Sequence, residues 1–340
     1  MGVDLRDIVT LRKIDIESLN NKVIAIDAYN SLYQFLAIIR GERGELLMDR
    51  HGNITSHISG LFYRNINFLS IGIKPIYIFD GQPPELKAME IEKRKEFKEK
   101  ATIMYMRALA EGRIEEAKKY AQATSLIKDY MVEDAKKVLD LLGIPWIVAP
   151  SEGEATAAQL SVNNLAYACA SQDYDSLLFG AKRLIRNLTI SGRRKLPGKK
   201  VYIEIELEEI LLEELLNQLS ITREQLIDIG ILVGTDFNPD GFKGIGPKSA
   251  LKLIREYKRL ESIPEIQEEL KKIDYQAIRE IFLKPKVSLP EKIEFKSINK
   301  EGLIHFLCDE KDFSFERVNN AISKLEETLA KRSLSLDRFF

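Results

Sequence analysis

The chain has 340 residues, 45% of them hydrophobic, with a formal net charge of −1. That is enough for one large core or two smaller ones, and the overall charge does not advertise a polyanionic partner. No apolar run approaches the roughly 20 residues of a membrane span, and MGVDLRDIVT lacks a signal pattern, so neither a membrane nor secretion is expected. Gly2 invites an acylation reading, but Arg6 stands where a Ser or Thr would be needed. Cys169 and Cys308 lie far apart without metal spacing, as in a reduced intracellular protein.

In chain order, Lys22–Ile26 (KVIAI) reads as a strand ending on Asp27, followed by an amphipathic helix from Tyr29 to about Ile39. Residues 41–53 carry three glycines and read as a loop or hairpin. Thr55 or Ser56 then caps a helix running to about Ile71. A second apolar strand, 75–79, ends on Asp80, where Gly81 and Pro83–Pro84 stop it. From Pro84 to about Leu142 the composition is helical. It is mostly polar up to Ser125, too polar for a core layer, and predicts a projecting insertion. Pro145–Ala149 is a third strand, PSEGE opens a helix to about Asn163, and Ala166–Ala170 is a fourth strand before SQDYD. Leu184–Ile190 and Lys200–Glu206 read as a strand pair joined by the basic hairpin SGRRKLPGKK, with helix from about Leu207 onward. Strands alternating with helices predict an α/β fold with a central, mostly parallel sheet flanked by helices.

All four of the first strands end on acids: Asp27, Asp80, Glu152 with Glu154, and Asp173 with Asp175. One acid after a strand commonly caps a helix, and Ser151-x-x-Glu154 even fits a capping box. Four of four, on parallel neighbours, converge on the edge where open α/β sheets place their chemistry. Carboxylates without His or Cys suit hard divalent cations such as Mg²⁺ and Mn²⁺. Two such ions clamp a phosphodiester for in-line attack. Asp236, in GTDF, makes a seventh acid, and setting the seven aside turns a charge of −1 into +6. That balance is compatible with a polyanionic substrate.

From Glu85 to Lys100, eleven of sixteen residues are charged, so most belong to a solvated helix face. Lys87, Arg94 and Lys98 share one face at helical spacing and would hold a scissile phosphate above the acids. Arg40 and Arg64, beside Tyr33 and Tyr63, are phosphate or base-stacking candidates. Further on, Gly244-Ile245-Gly246-Pro247-Lys248-Ser249 leads into a helix at Ala250, a turn that frees backbone amides for a phosphate. It resembles a helix–hairpin–helix module.

AIDAYNSLYQFL, FDGQPPELKAMEIEKR, APSEGEATAAQL, SQDYDSLLFG and LVGTDFNPDGFKGIGPKSA, in this order, resemble the paired nuclease regions of flap endonucleases. The likeness covers nearly the whole chain and, at this compact length, the archaeal type. It implies a Mg²⁺-dependent, structure-specific 5′ nuclease of replication and repair, cytoplasmic and monomeric. In that reading residues 1–326 form one nuclease domain: an N-terminal region about 1–100, a helical arch about 84–130, and an internal region about 140–260 holding the DNA-binding module about 225–257. Residues 327–340 are a clamp-binding tail. Asp27, Asp80, Glu152, Glu154, Asp173, Asp175 and Asp236 become a two-Mg²⁺ site, with Mn²⁺ as substitute. Lys87 and Arg94 become the catalytic pair below the arch.

The resemblance also implies DNA contacts for Tyr33, Arg40 and Arg64. It implies a duplex grip at Gly244, Gly246 and Lys248 that carries K⁺ in relatives, and a 3′-flap pocket at Thr55, Lys311 and Arg317. Asp312 departs from a neutral position there. The ending SLSLDRFF resembles a sliding-clamp motif in Leu336, Phe339 and Phe340, with Ser333 in place of glutamine. The implied partners are branched DNA and a sliding clamp. A related exonuclease, a junction resolvase and a non-catalytic clamp partner are the alternative readings.

Overall fold

The structure, a computed structural model, describes residues 2–41, 44–111, 126–190, 192–195 and 202–336 and the positions 113, 116 and 120. Its strands are β1 (Arg12–Ile14), β2 (Val23–Asp27), β3 (Lys74–Phe79), β4 (Trp146–Val148), β5 (Ala168–Ala170), β6 (Arg183–Arg186), β7 (Gly192–Lys195), β8 (Tyr202–Ile205) and β9 (Leu207–Leu211). Seven of them form one sheet in the order β1-β9-β6-β5-β2-β3-β4. Strands β6, β5, β2, β3 and β4 are parallel, while β9 runs antiparallel to both β6 and β1. The α/β reading with a mostly parallel sheet therefore holds. Side chains alternate across the sheet: Ile76 and Ile78 enter one core layer, Tyr77 and Phe79 the other.

The helices are α1 (Ala28–Ile38), α2 (Ser56–Ile71), α3 (Ala88–Ala110), α4 (Asp129–Leu142), α5 (Gly153–Val162), α6 (Asp175–Leu178), α7 (Leu212–Leu219), α8 (Arg223–Val233), α9 (Pro247–Tyr257), α10 (Gln267–Leu270), α11 (Tyr275–Leu283), α12 (Lys300–Ile304) and α13 (Phe315–Leu336). Helices α1, α2, α4 and α13 cover the Tyr77 face; α5, α8, α9 and α11 cover the Ile76 face. Among the described residues no helix is long and apolar enough to cross a membrane.

The β1–β9–β6 side of the sheet corrects two expectations and adds a strand that was not expected. Leu207–Leu211 is strand β9, not the start of a helix. Its EEILLEELL context has helical composition, but the slot between β1 and β6 supplies two rows of hydrogen bonds that local preference cannot match. Strand β1 has no signal in the sequence, because three residues carry no periodicity. Among the described residues, 184–190 and 202–206 do not pair with each other. Strand β6 joins the main sheet, the chain turns at Asn187 with φ of 66°, and β7 and β8 form a separate ribbon.

Candidate active site

Four adjacent parallel strands, β5, β2, β3 and β4, point their carboxyl ends at one sheet edge. Asp27 caps α1, its Oδ1 accepting the Asn30 N–H at 2.9 Å. Asp80 accepts the Gly153 N–H, the first of α5, at 2.6 Å. Gly81 N–H donates to Ser151 O at 2.7 Å, so the segments leaving β3 and β4 are fastened together. A Cβ on Gly153 would lie 2.8 Å from Asp80 Oδ1 and 3.1 Å from Ile78 O. Only glycine lets α5 begin against the carboxylate. Gly153→Ala should therefore lower both melting temperature and cleavage rate, at a cost of about 1–3 kcal/mol in a thermal or urea melt. A variant as stable and active as the parent would contradict this.

The capping box at Ser151 does not form; α5 starts from Glu152 without a side-chain cap. Glu152 and Glu154 instead divide. Glu152 bonds the ammonium of Lys87, while Glu154 Oε1 accepts the N–H of Ser176 at 3.1 Å and also its hydroxyl. The second acidic pair is held by the start of the chain. Gly2 N–H donates to Asp173 Oδ1 at 3.3 Å, Val3 N–H to Asp175 Oδ1 at 2.8 Å, and Asn30 Nδ2 to Asp173 Oδ2 at 3.2 Å. A Cβ on Gly2 would come within 2.6 Å of Asp175 Oδ2. Sequence reasoning missed Gly2, Val3 and Ser176 as supports, since nothing local marks them. Asn30 had a signal, standing three residues after an acid that begins a helix.

The charges of the cluster are mutually unfavourable. Burial, then the neighbouring Asp80 and Asp173, push Asp27 up to about 8. Burial, then Asp236 and Asp173, push Asp175 up to about 8. Glu154 is raised well above its ordinary value by burial and by Asp175 and Asp173, and burial also raises Asp80 and Glu152. Burial works against the Asp236 carboxylate too, but Lys87 and Arg94 bring it below the usual range.

Oxygen donors alone, buried and short of positive charge, fit hard divalent ions. Among the described residues no three acids already close on one point as ligands of a single ion; the ammonium of Lys87 lies among them instead. Asp27 and Asp175 hold protons that the unfolded chain loses near pH 4, so metal-free stability falls as pH rises from about 4 to about 8. The metal-free melting temperature should drop between about pH 6 and about pH 8.5, and Mg²⁺ should raise it more at the higher pH, releasing protons as it binds. A Mg²⁺ effect equal at both ends of that range would contradict this.

A 3₁₀ turn at Glu85–Lys87 and then α3 bring cations over the cluster. Lys87 Nζ lies 3.1 Å from Asp236 Oδ2, and an Arg94 Nη donates to the same oxygen at 2.9 Å. Arg94 also pairs with Glu90, itself buried on α3. Lys98 does not join them. Its ammonium sits over the Tyr33 ring, 4.1 Å from the centroid, one helical turn beyond the acids.

The remaining candidates lie apart from the carboxylates. Arg40 folds back on α1, donating to Leu36 O and Gly44 O at 2.9 Å. The guanidinium of Arg64 rests 5.8 Å above the Phe68 ring on α2. Thr55 is buried at the start of α2 without capping it, although its neighbour Ser56 accepts the Leu47 N–H at 2.8 Å. Lys311 pairs with Asp134 at 2.6 Å, and Arg317 shares a shallow cavity of about 510 Å³ with Tyr63, Asn67 and Lys324. Asp312 accepts the Arg50 N–H at 2.6 Å, which ties the 47–55 loop to the segment before α13. Gly244, with φ of 79°, and Gly246 lead into α9, where nothing stands within 4 Å of a Cβ on either glycine. That leaves their backbone open to a ligand. Leu336 ends α13; Phe339 and Phe340 lie outside the described residues.

Six acids at the carboxyl edge of a mostly parallel sheet, Asp236 beside them after α8 and a cation-bearing helix docked over them make a centre suited to metal-assisted phosphodiester hydrolysis. The XPG N-terminal domain family matches residues 3–101 and the XPG I-region residues 143–236. The chain is 56% identical to Flap endonuclease 1 of Nitrosopumilus maritimus over 100% of both chains. It is 53% identical to Flap endonuclease 1 of Pyrococcus horikoshii, over 100% of this chain and 98% of that one. The solved flap endonuclease-1 of Methanococcus jannaschii superposes with a TM-score of 0.75 at 40% identity, over 97% of this chain and all of the other. The catalytic core of Rad2 in complex with a DNA substrate shares the fold, with a TM-score of 0.70 at 24% identity, over 96% and 100% of the two chains. The chain belongs to the flap endonuclease 1 family, which makes it a nuclease of the 5′ flap endonuclease type. Nucleases of this family are metal-dependent.

Proposed function

We propose that the protein hydrolyses the phosphodiester at the base of a 5′ flap and also trims 5′ ends as a 5′→3′ exonuclease. It leaves a 5′-phosphate and a 3′-hydroxyl, in Okazaki fragment maturation and DNA repair. The observation that carries the reading is the buried carboxylate cluster with Lys87 and Arg94 aimed into it from α3. Asp27, Asp80, Glu152, Glu154, Asp173, Asp175 and Asp236 would hold two Mg²⁺ ions, or Mn²⁺ in their place. When bound, such ions polarise the phosphoryl group and activate the attacking water.

The chain's own residues do the rest. Lys87 stays charged, because Glu152 and Asp236 outweigh the effect of its burial, so it can exchange a carboxylate for a phosphate oxygen. Arg94, about two turns further along, offsets charge on the phosphate. Tyr33 offers a ring face, and Arg40 and Arg64 offer guanidinium groups along the approach of the strand. Gly244, Gly246 and Lys248 grip downstream duplex, with K⁺ at the turn. Thr55, Lys311 and Arg317 hold a one-nucleotide 3′ flap. Leu336, Phe339 and Phe340 engage a sliding clamp, and the protein works as a cytoplasmic monomer. Cleavage of a double-flap substrate in Mg²⁺, mapped to the nucleotide, tests the reading: one dominant cut at the flap base is expected. Equal rates on a four-way junction or a blunt duplex would overturn it.

A further inference from the structure

Helix α3 grips a second site besides the carboxylate cluster. Lys93 Nζ bonds both carboxylate oxygens of Asp240, at 2.6 and 2.7 Å. Asp240 lies four residues after Asp236, in the connection from α8 to α9. Three cations, Lys87 just before α3 and Lys93 and Arg94 on it, thus hold one short stretch, Asp236–Asp240.

That stretch is stiff. Asn238 Oδ1 accepts both the N–H and the hydroxyl of Thr235, at 3.2 and 2.7 Å, and Asn238 Nδ2 donates to Ile231 O at 2.7 Å. Gly241, with φ of 53°, packs its Cα so close to the stretch of chain leaving α8 that a Cβ would meet Val233 O at 2.3 Å. Phe242 N–H donates to Leu232 O at 2.8 Å, and Phe237 stacks edge-on against buried Phe282 at 5.4 Å between centroids. The same stiff connection continues through the Ile245 N–H to Phe242 O bond, 3.0 Å, into the Gly244–Lys248 turn. Asp236, Asp240 and the turn are therefore joined by one run of short-range hydrogen bonds, and α3 is fastened to that run at both acids.

We propose that Asp240 and Lys93 are positioning residues that couple engagement of downstream duplex to the seating of α3. Duplex backbone held at Gly244–Lys248 fixes the stiff connection. Asp240 then sets the height of α3 through Lys93, and so the reach of Arg94, the next residue, and of Lys87, between one and two turns before it. The inference rests on the reading of the Gly244–Lys248 turn as the duplex grip.

Simple charge makes the opposite forecast. Asp240 is exposed and anionic, so removing it would strengthen DNA binding and leave chemistry unchanged or faster. The coupling instead makes Asp240→Asn and Lys93→Gln lower kcat with little change in KM. The test is single-turnover and steady-state cleavage by the full chain, on flap substrates whose downstream duplex is shortened stepwise. The wild type should slow once the duplex no longer reaches the turn. Each single variant should lose about three- to fivefold of that long-over-short advantage, the range an exposed ion pair can transmit. The exchange Lys93→Asp with Asp240→Lys should restore it. Single variants that keep the full wild-type advantage, or an exchange that restores nothing, would overturn the proposal alone. A wild type indifferent to duplex length would overturn the reading of the turn, and the coupling with it.

Discussion

Replacing Asp80 by alanine is expected to leave flap-DNA binding in place and to cut Mg²⁺-dependent cleavage by about 10³-fold or more. Two effects combine in this variant, and the structure separates them. Asp80 supplies negative charge to the cluster, and its Oδ1 also receives the first amide of α5. Asp80→Ala removes both and leaves the Gly153 N–H unsatisfied, at about 1–2 kcal/mol of stability. Asp80→Asn keeps an acceptor for that amide and removes only the charge. The two variants should therefore lose similar activity, while only Asp80→Ala melts early. Filter binding, single-turnover cleavage and thermal melts read the three quantities. Near-normal turnover by either variant would be fatal to the role given to this carboxylate.

The second large effect is expected at Lys87. Lys87→Met keeps the length of the side chain and removes its charge, and turnover should fall by about 10²–10³-fold, as for loss of one preorganised electrostatic contact. Metal binding should change in the opposite direction. Lys87 neutralises Glu152 and Asp236, so its removal frees two oxygen donors and divalent affinity should rise. Titration calorimetry with Mg²⁺ on the protein without DNA reads this without any turnover. A variant with weakened metal binding would show that the lysine supports the carboxylates, and would remove it from the chemistry.

Much of the site is legible in the order of residues alone. An acid directly after an apolar strand is a local pattern, and Asp27 and Asp80 need only the strand to place them. Parallel strand order, which the alternation with helices implies, then brings their ends together. The Glu152/Glu154 pair shows where that reasoning stops. Spacing of two suggests one shared direction, yet Glu152 turns to Lys87 and Glu154 to Ser176, because the chain becomes helical between them. Lys98 shows it again. Helical periodicity places it with Lys87 and Arg94, but the floor beneath α3 changes along its length from carboxylate to the ring of Tyr33.

The sequence by itself determined the strand-and-helix alternation, the acids at the strand ends, the glycine turn before α9 and the polar character of α3. Each follows from preferences that act within a few residues of one another. Only the tertiary structure decided that Leu207–Leu211 is a strand, that Gly2 and Val3 support the second acidic pair, and that α3 is fastened to Asp236 and Asp240. Those contacts join residues more than a hundred positions apart, save on the β6 side of β9, and in β9 a place between two strands outweighs helical composition. Local preference is small per residue and carries no information about such partners. They are set by which faces the packed sheet leaves to be covered.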